Sequence, residues 1–230
     1  KEIETDQVDL FSETAIREIA SIYRCDLSLI ISEVEMELLQ KEFNINSELL
    51  VYLPFLIERL NDDALSEINT FEQRKGFVTI GNFKHSPNVD SVMYLKKTIL
   101  PLIQKELPDV EFSIYGENAT HKIKQLHNED EGFLIKGWAE DIDVIMGQSR
   151  VCLTPLQFGA GLKGKIFDAM KNGTPCVTTT IGAEGISSEM EFCGLISDDP
   201  IRIAQSAVEL YTRKESWLEA QQKGFEILRS

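Results

Sequence analysis

Residues 154–185 contain the glycines and lysines of this chain that are best suited to hold an anion. Gly159 and Gly161 allow the backbone to turn sharply and to come close to a ligand. Lys163 and Lys165 follow at or near the start of a predicted helix, whose first N–H groups carry a partial positive charge. A lysine there opposes the helix dipole by about 0.3–1 kcal/mol, so two of them favour a phosphate bound in the loop. The segment therefore predicts a phosphate or diphosphate site.

A second loop, which follows a predicted strand at residues 77–80, also leads into a helix. Ser86 suits the capping position of that helix, and Pro87 suits its first helical position. We expect this second helix start to point at the same edge as the first. The candidates here for contact with the anion are Gly81, Lys84, His85 and Asn88. For His85, a solvent-facing loop histidine is the competing interpretation.

Strands and helices must alternate regularly to place both loops at one edge. Predicted strands cover residues 77–80, 110–115, 133–135, 151–154, 176–179 and 194–196, and predicted helices cover 87–106, 118–127, 141–147 and 163–172, with two more at the end. This spacing requires parallel strands with right-handed crossovers, which predicts a doubly wound α/β sheet. Ligands of such sheets bind at the carboxyl ends of the strands.

The residues before this region predict a smaller helical and stranded segment followed by a linker. A helix at 14–24, a strand at 27–31, a helix capped by Ser32 and ending near 43, and a strand at 49–53 are expected. Residues 58–75 are polar and lack a long apolar periodicity, which is typical of a linker.

The sequence GAGLKGKIFDAMKNGTPCV, followed by GAEGI, resembles the nucleotide-sugar-binding segment of retaining GT-B glycosyltransferases of group 1 (family 4 type). Two upstream stretches, beginning FVTIGNF and FLIKGWAED, are similar to the preceding units of that family in the same order. The resemblance implies three parts. Residues 1–57 are a partial acceptor-side segment, 58–76 a linker, and 77–230 a Rossmann-like nucleotide-sugar-binding domain. With no starting Met, the chain is expected to be a fragment.

The resemblance also implies transfer of a sugar from a nucleotide-sugar donor to a sugar or lipid-linked glycan acceptor, with retention of configuration. This chain would be mostly the donor-binding part and inactive alone. Lys163 and Lys165 would stabilise the charge of the leaving group. Asp168 stands where the family has a Glu that accepts hydrogen bonds from the ribose hydroxyls, although an ordinary surface ion pair with Lys165 also explains it. Ala160 replaces a second Glu, which contacts the transferred sugar.

Further donor contacts follow from the same resemblance. A second glycine loop after the strand at 176–179 and the residues after the third strand of the sheet would face the nucleotide. The candidates are Gly137, Trp138, Gly182, Glu184 and Gly185. A plain turn also explains the glycines, and packing in the core or at the rim also explains the tryptophan.

No metal ion is expected, because the family neutralises the diphosphate with cationic side chains and helix ends. Asp141-Ile142-Asp143 resembles the metal-binding Asp-x-Asp of a different glycosyltransferase architecture, but it opens a predicted helix and is interpreted as capping.

The composition narrows the classes of partner. A formal net charge of −15 argues against nucleic acid, since no stripe of Lys and Arg is present to release counterions. The four cysteines lack metal-binding spacing and are expected to be reduced core residues. The longest apolar run is too short to span a bilayer, which predicts a cytoplasmic protein without direct membrane insertion. A GT-B sugar-nucleotide epimerase, a non-catalytic nucleotide-sugar-binding subunit and a flavodoxin-like interaction domain remain as alternatives.

Overall fold

The structure, a computed structural model, describes residues 12–53, 56, 68–159, 161–186 and 192–229. The chain divides into two compact units, Lys1–Leu56 and Ile57–Ser230. Ala160, the predicted helical turn near Ser187 and most of the predicted linker lie outside the described residues.

The first unit pairs two short parallel strands with two helices, as the apolar spacing predicts. Its elements are α1 (Glu13–Ile22), β1 (Ser28–Ile30), α2 (Glu33–Lys41) and β2 (Leu50–Tyr52). Leu29 of β1 pairs with Val51 of β2. The Ser32 hydroxyl accepts a hydrogen bond from the Glu35 N–H and begins α2, which confirms the predicted cap.

Among the described residues, the second unit contains six parallel strands, and helices connect all of them except β7 and β8. Its elements are β3 (Lys75–Ile80), α3 (Ser86–Tyr94), α4 (Leu100–Ile103), β4 (Phe112–Tyr115), α5 (His121–Lys124), β5 (Phe133–Gly137), α6 (Ile142–Gln148), β6 (Ser149–Thr154), α7 (Gly164–Lys171), β7 (Cys176–Thr178), β8 (Gly194–Ile196), α8 (Pro200–Thr212) and α9 (Lys214–Arg229). The strand order is β5-β4-β3-β6-β7-β8. This doubly wound parallel sheet confirms the predicted fold class.

Both faces of the sheet are buried, because side chains alternate between two apolar layers along each strand. Phe77 and Val151 belong to the layer that includes Leu95 and Ile203. Their chain neighbours Val78 and Cys152 belong to the opposite layer, with residues of α7 such as Ile166 and Met170. The core therefore fixes both ends of the loops that connect the strands to α3 and α7.

The predicted helix at 87–106 is shorter and less regular than expected. Between α3 and α4 the chain forms a π-helical segment, Leu95–Ile99, and α4 ends at Ile103. Pro101 lacks an N–H, and its ring would clash with the carbonyl of Lys97 in a regular helix. The wider π turn relieves that clash, so the prediction of one regular helix over residues 87–106 was wrong at this point.

Cys152, Cys176 and Cys193 are buried free thiols, as predicted, whereas Cys25 is exposed. The prediction of a core position was therefore wrong for Cys25, which lies between α1 and β1 rather than in a strand. Within the described ranges, no helix has both the length and the apolar character to cross a membrane.

Candidate functional site

The order of the strands places two loops beside each other at one edge of the sheet. From β3 the chain proceeds to β4 and β5 on one side, then returns to β6 and proceeds to β7 and β8 on the other. The loops after β3 and β6 therefore flank the switch point, where open α/β sheets bind ligands. They also touch, because a Cβ added at Gly159 would lie 3.0 Å from Cγ of Pro87. Gly159 and Gly161 have φ values of 121° and 76°, which strongly favour glycine.

Lys165 lies in the first turn of α7 and points inward. Its Nζ donates a hydrogen bond of 2.6 Å to Oδ1 of Asn88 on α3. Among the described residues, no carboxylate lies within 4.0 Å of this ammonium group. Desolvation lowers the pKa of Lys165 from 10.5 to about 8. The alternative of an ion pair with Asp168 is therefore wrong in the part of the chain that the structure describes.

Asn88 is held in turn by the loop after β3. Its Nδ2 donates to the carbonyl of Asn82 at 2.9 Å. A Cβ added at Gly81 would lie 2.6 Å from Cγ of Asn88, so the amide group occupies the space that a side chain at position 81 would need. These contacts therefore connect three residues that the sequence singled out: Gly81, Asn88 and Lys165.

Lys163 precedes α7, and its side chain contacts residues of both glycine loops, the loop after β6 and the loop after β7. Its side chain is 9% exposed, and its Nζ donates to the carbonyl of Gly161 and lies 3.6 Å from Oε2 of Glu184. Glu184 belongs to the loop after β7, with Gly185 next to it. A Cβ added at Gly182 would lie 1.9 Å from Oγ1 of Thr178, so close packing by itself requires a glycine there.

An open concavity of about 510 Å³ lies beside the ends of β4 and β5. Its lining residues are Tyr115, Trp138, Glu140, Asp141, Val144 and Ile145. Trp138, which follows Gly137 at the end of β5, is 66% exposed, so packing in the core does not explain it. Tyr115 and Lys165 both line a second, small cavity. Sequence reasoning missed Tyr115, although its position as the last residue of a predicted strand would have indicated it.

Asp168 lies in the second turn of α7, away from the helix start. Desolvation, and then repulsion from Asp143, raises the pKa of Asp168. Asp143 in turn binds Lys171 and Asn172 at 2.8 Å each. Oδ1 of Asp141 accepts a hydrogen bond from the Val144 N–H at 3.0 Å, which confirms the capping interpretation of the Asp-x-Asp.

Lys84 and His85 are exposed in the loop before α3. The helix begins at Ser86, and His85 occupies the capping position without a side-chain hydrogen bond to the helix. The predicted cap at Ser86 was therefore one residue too late, because the backbone is still extended at His85. In the described segments, no group of three or more His, Cys, Asp or Glu side chains could hold a metal ion.

A family model described as "Glycosyl transferases group 1" matches residues 74–213. An uncharacterized 44.6 kDa protein in the cps region of Klebsiella pneumoniae is 24% identical over 136 residues, which cover 56% of this chain and 35% of that protein.

Two solved structures have a similar fold. A mutant of S. aureus TarM in complex with fondaparinux, alpha-GlcNAc-glycerol and UDP is 17% identical, with a TM-score of 0.73 over 95% of this chain and 44% of TarM. The pneumococcal O-GlcNAc transferase GtfA in complex with UDP and GlcNAc is 18% identical, with a TM-score of 0.66 over 93% of this chain and 45% of GtfA. The shared fold is GT-B. The chain spans about a third of the curated relative and less than half of either solved structure.

Proposed function

The chain belongs to the group 1 glycosyl transferases, and on that premise we propose that the edge between β3 and β6 binds a nucleotide-sugar donor by its diphosphate. The sugar is transferred with retention of configuration to a sugar or lipid-linked glycan acceptor. The present chain contributes mostly the donor-binding part of this activity.

The observation that carries the proposal is the inward direction of both lysines at the start of α7. Lys163 is 9% exposed, and its Nζ donates to a carbonyl and lies 3.6 Å from a carboxylate. Nζ of Lys165 donates to a neutral amide. A diphosphate is a stronger acceptor than a carbonyl or an amide, because charge-assisted hydrogen bonds are about twice as strong as neutral ones. The N–H groups at the start of α7 add partial positive charge on the same side.

This arrangement acts on the step in which the glycosidic bond of the donor breaks. Negative charge then develops on the departing diphosphate. Ammonium and N–H groups that are already in place stabilise that charge without reorganisation, so they lower the barrier in addition to binding the ground state.

The nucleoside extends from the diphosphate across β4 towards Trp138. Two strand spacings separate β3 from β5, a distance of about 10 Å, which a ribose and a base can span. The exposed indole of Trp138 offers a face for stacking, and Tyr115 lines the path between the two ends. Asp168 is proposed to accept hydrogen bonds from the ribose hydroxyls.

Calorimetric titration with UDP, GDP and ADP tests this proposal. UDP is the first ligand to try, because TarM and GtfA were both solved with UDP. We expect binding by the wild-type chain and at least tenfold weaker binding by Lys165→Ala, about 1.4 kcal/mol. Lys214→Ala, which removes a lysine that pairs with Glu72 before the start of β3, is the matched control and should bind like the wild type.

Equal affinity of the wild type and Lys165→Ala would remove Lys165 from the site. Binding should also stabilise the fold by about 2.7 kcal/mol at 100 times the dissociation constant. Absence of any thermal shift with all three nucleotides would favour an interaction domain without a nucleotide site. Turnover of a nucleotide sugar by the longer protein, followed by NMR of the product anomer, tests transfer and retention.

A further inference from the structure

We propose that Asn88 is a positioning residue for Lys165, which holds the lysine at the diphosphate site through a neutral hydrogen-bond acceptor. This inference rests on the proposed function of the site. The direct contact is the 2.6 Å hydrogen bond from Nζ of Lys165 to Oδ1 of Asn88, between residues 77 positions apart in the chain. In this proposal Asn88 acts on the donor through the lysine, so its role is to fix where the positive charge lies.

The neutrality of the acceptor is what distinguishes this contact from an ordinary ion pair. A carboxylate at position 88 would cancel the charge of Lys165 and would repel an incoming diphosphate. An amide oxygen instead directs the ammonium group and leaves its charge uncompensated. The titratable groups that face Lys165 from its own and neighbouring elements are Lys163, Cys152 of β6, Cys176 of β7 and Tyr115 of β4. None of them is a carboxylate.

The amide of Asn88 is itself fixed on two sides. Its Nδ2 donates to the Asn82 carbonyl, which determines that Oδ1 is the atom that faces the lysine. The Asn82 side chain accepts hydrogen bonds from the Lys84 N–H and from Nδ2 of Asn118. These bonds hold the loop after β3 in place. Gly81 leaves the space in which the amide lies. This explains the glycine at 81 without any contact between its backbone and a ligand.

The test combines the titration of Lys165 with its effect on UDP binding. The ¹³Cε signal of Lys165 in lysine-labelled protein, assigned by its loss in Lys165→Arg, reports the pKa directly. Asn88→Ala removes an acceptor of the charged form and should lower the pKa of Lys165, whereas Asn88→Asp should raise it. Both variants should bind UDP about tenfold more weakly than the wild type at neutral pH.

Opposite pKa changes with the same loss of affinity support the positioning role, because a merely structural role would move the pKa in one direction or not at all. Gly81→Ala, whose Cβ would displace the amide, should behave like Asn88→Ala. Asn128→Ala, an asparagine before β5 at the other edge of the sheet, is the matched control. Thermal denaturation of each variant checks that it folds.

An unchanged pKa and an unchanged UDP affinity in Asn88→Ala would overturn the positioning role. The NMR measurement needs no ligand. If the wild type binds none of UDP, GDP and ADP, the proposed function fails, and the titration still shows separately whether Asn88 controls the pKa of Lys165.

Discussion

At the scale of single residues, the position of Lys165, which we propose favours donor binding, reduces the stability of the folded chain. Desolvation lowers its pKa to about 8 because the charged form has lost water, and its hydrogen bond to the Asn88 amide does not make up for that loss. The unfolded chain, with an ordinary pKa of 10.5, therefore binds more protons between about pH 8 and 10.5 than the folded chain. Linkage then requires the stability of the wild type to rise with pH through this window.

We predict that Lys165→Met stabilises the ligand-free chain at pH 7 by about 2 kcal/mol, since it removes the cost of burying the charge. The gain should shrink as the pH rises from about 8 to 10.5, because the folded lysine loses its proton in this range while the unfolded lysine still holds most of its own. The same variant should lose stabilisation by UDP. Urea denaturation at pH 7 and pH 10, with and without UDP, measures all three effects. A variant that is less stable than the wild type at both pH values would contradict the explanation.

A second prediction about single residues concerns Glu184. Its carboxylate lies 3.6 Å from Nζ of Lys163, which we propose also binds the diphosphate. Glu184→Gln keeps the shape but removes the competing negative charge. We expect UDP to bind about three- to tenfold more tightly to this variant, an effect of about 1 kcal/mol. Glu219→Gln, which changes an exposed carboxylate on α9, is the control. Weaker binding by Glu184→Gln would indicate that Glu184 itself contacts the donor.

At the scale of elements, Arg74 connects the ends of the two helices that pack beside the site. Its guanidinium is fully buried, and it donates to the carbonyls of Met146 at the end of α6 and Asn172 after α7, at 3.4 and 2.6 Å. Helix ends leave such carbonyls without partners, and a cation there also favours the helix dipole. Desolvation lowers the pKa of Arg74 to about 10, so it remains charged at neutral pH. The sequence placed Arg74 in a polar linker, because an arginine among polar residues gives no sign of burial.

We predict that Arg74→Met lowers the free energy of unfolding by about 3 kcal/mol, because several buried carbonyls lose their donor. Arg74→Lys should restore little of this stability, because an ammonium group lacks the planar set of donors that reaches the same acceptors. Urea denaturation measures the effect. Arg213→Met, which removes an exposed ion pair with Glu209, is the control and should change stability by less than about 1 kcal/mol. Similar values for the two variants would show that the network around Arg74 does not stabilise the unit.

At the scale of the whole molecule, the net charge of −15 opposes the approach of any anionic ligand. Binding of a diphosphate must therefore depend on charges close to it. We propose that Lys163, Lys165 and the start of α7 neutralise the diphosphate without a metal ion. The affinity for UDP should then agree within about twofold in the presence of EDTA and of Mg²⁺, as measured by calorimetry. Loss of binding on chelation would show that a cation is required.

Much of the architecture followed from the sequence because it depends on local patterns. Apolar runs of strand length, glycines after strands and capping residues such as Ser32 and Asp141 act over a few residues, so the alternation of strands and helices was predictable. The lysines at the start of α7 were recognisable as candidate anion-binding residues for the same reason, because that interpretation depends on the helix that begins beside them in the sequence. The π turn before Pro101 was also a local effect, but the prediction of one continuous helix at 87–106 did not take the proline into account.

Only the tertiary structure decided which groups these lysines contact. The partner of Lys165 lies on α3, and most of the acceptors around Arg74 come from segments about 70 to 100 positions away. Such pairings arise when the sheet order brings β3 beside β6, and no pattern within one segment encodes them. Burial has the same origin, because the neighbours that exclude water from a side chain are distant in sequence. The sequence therefore determined where positive charge is available, and the folded sheet determined how that charge is held.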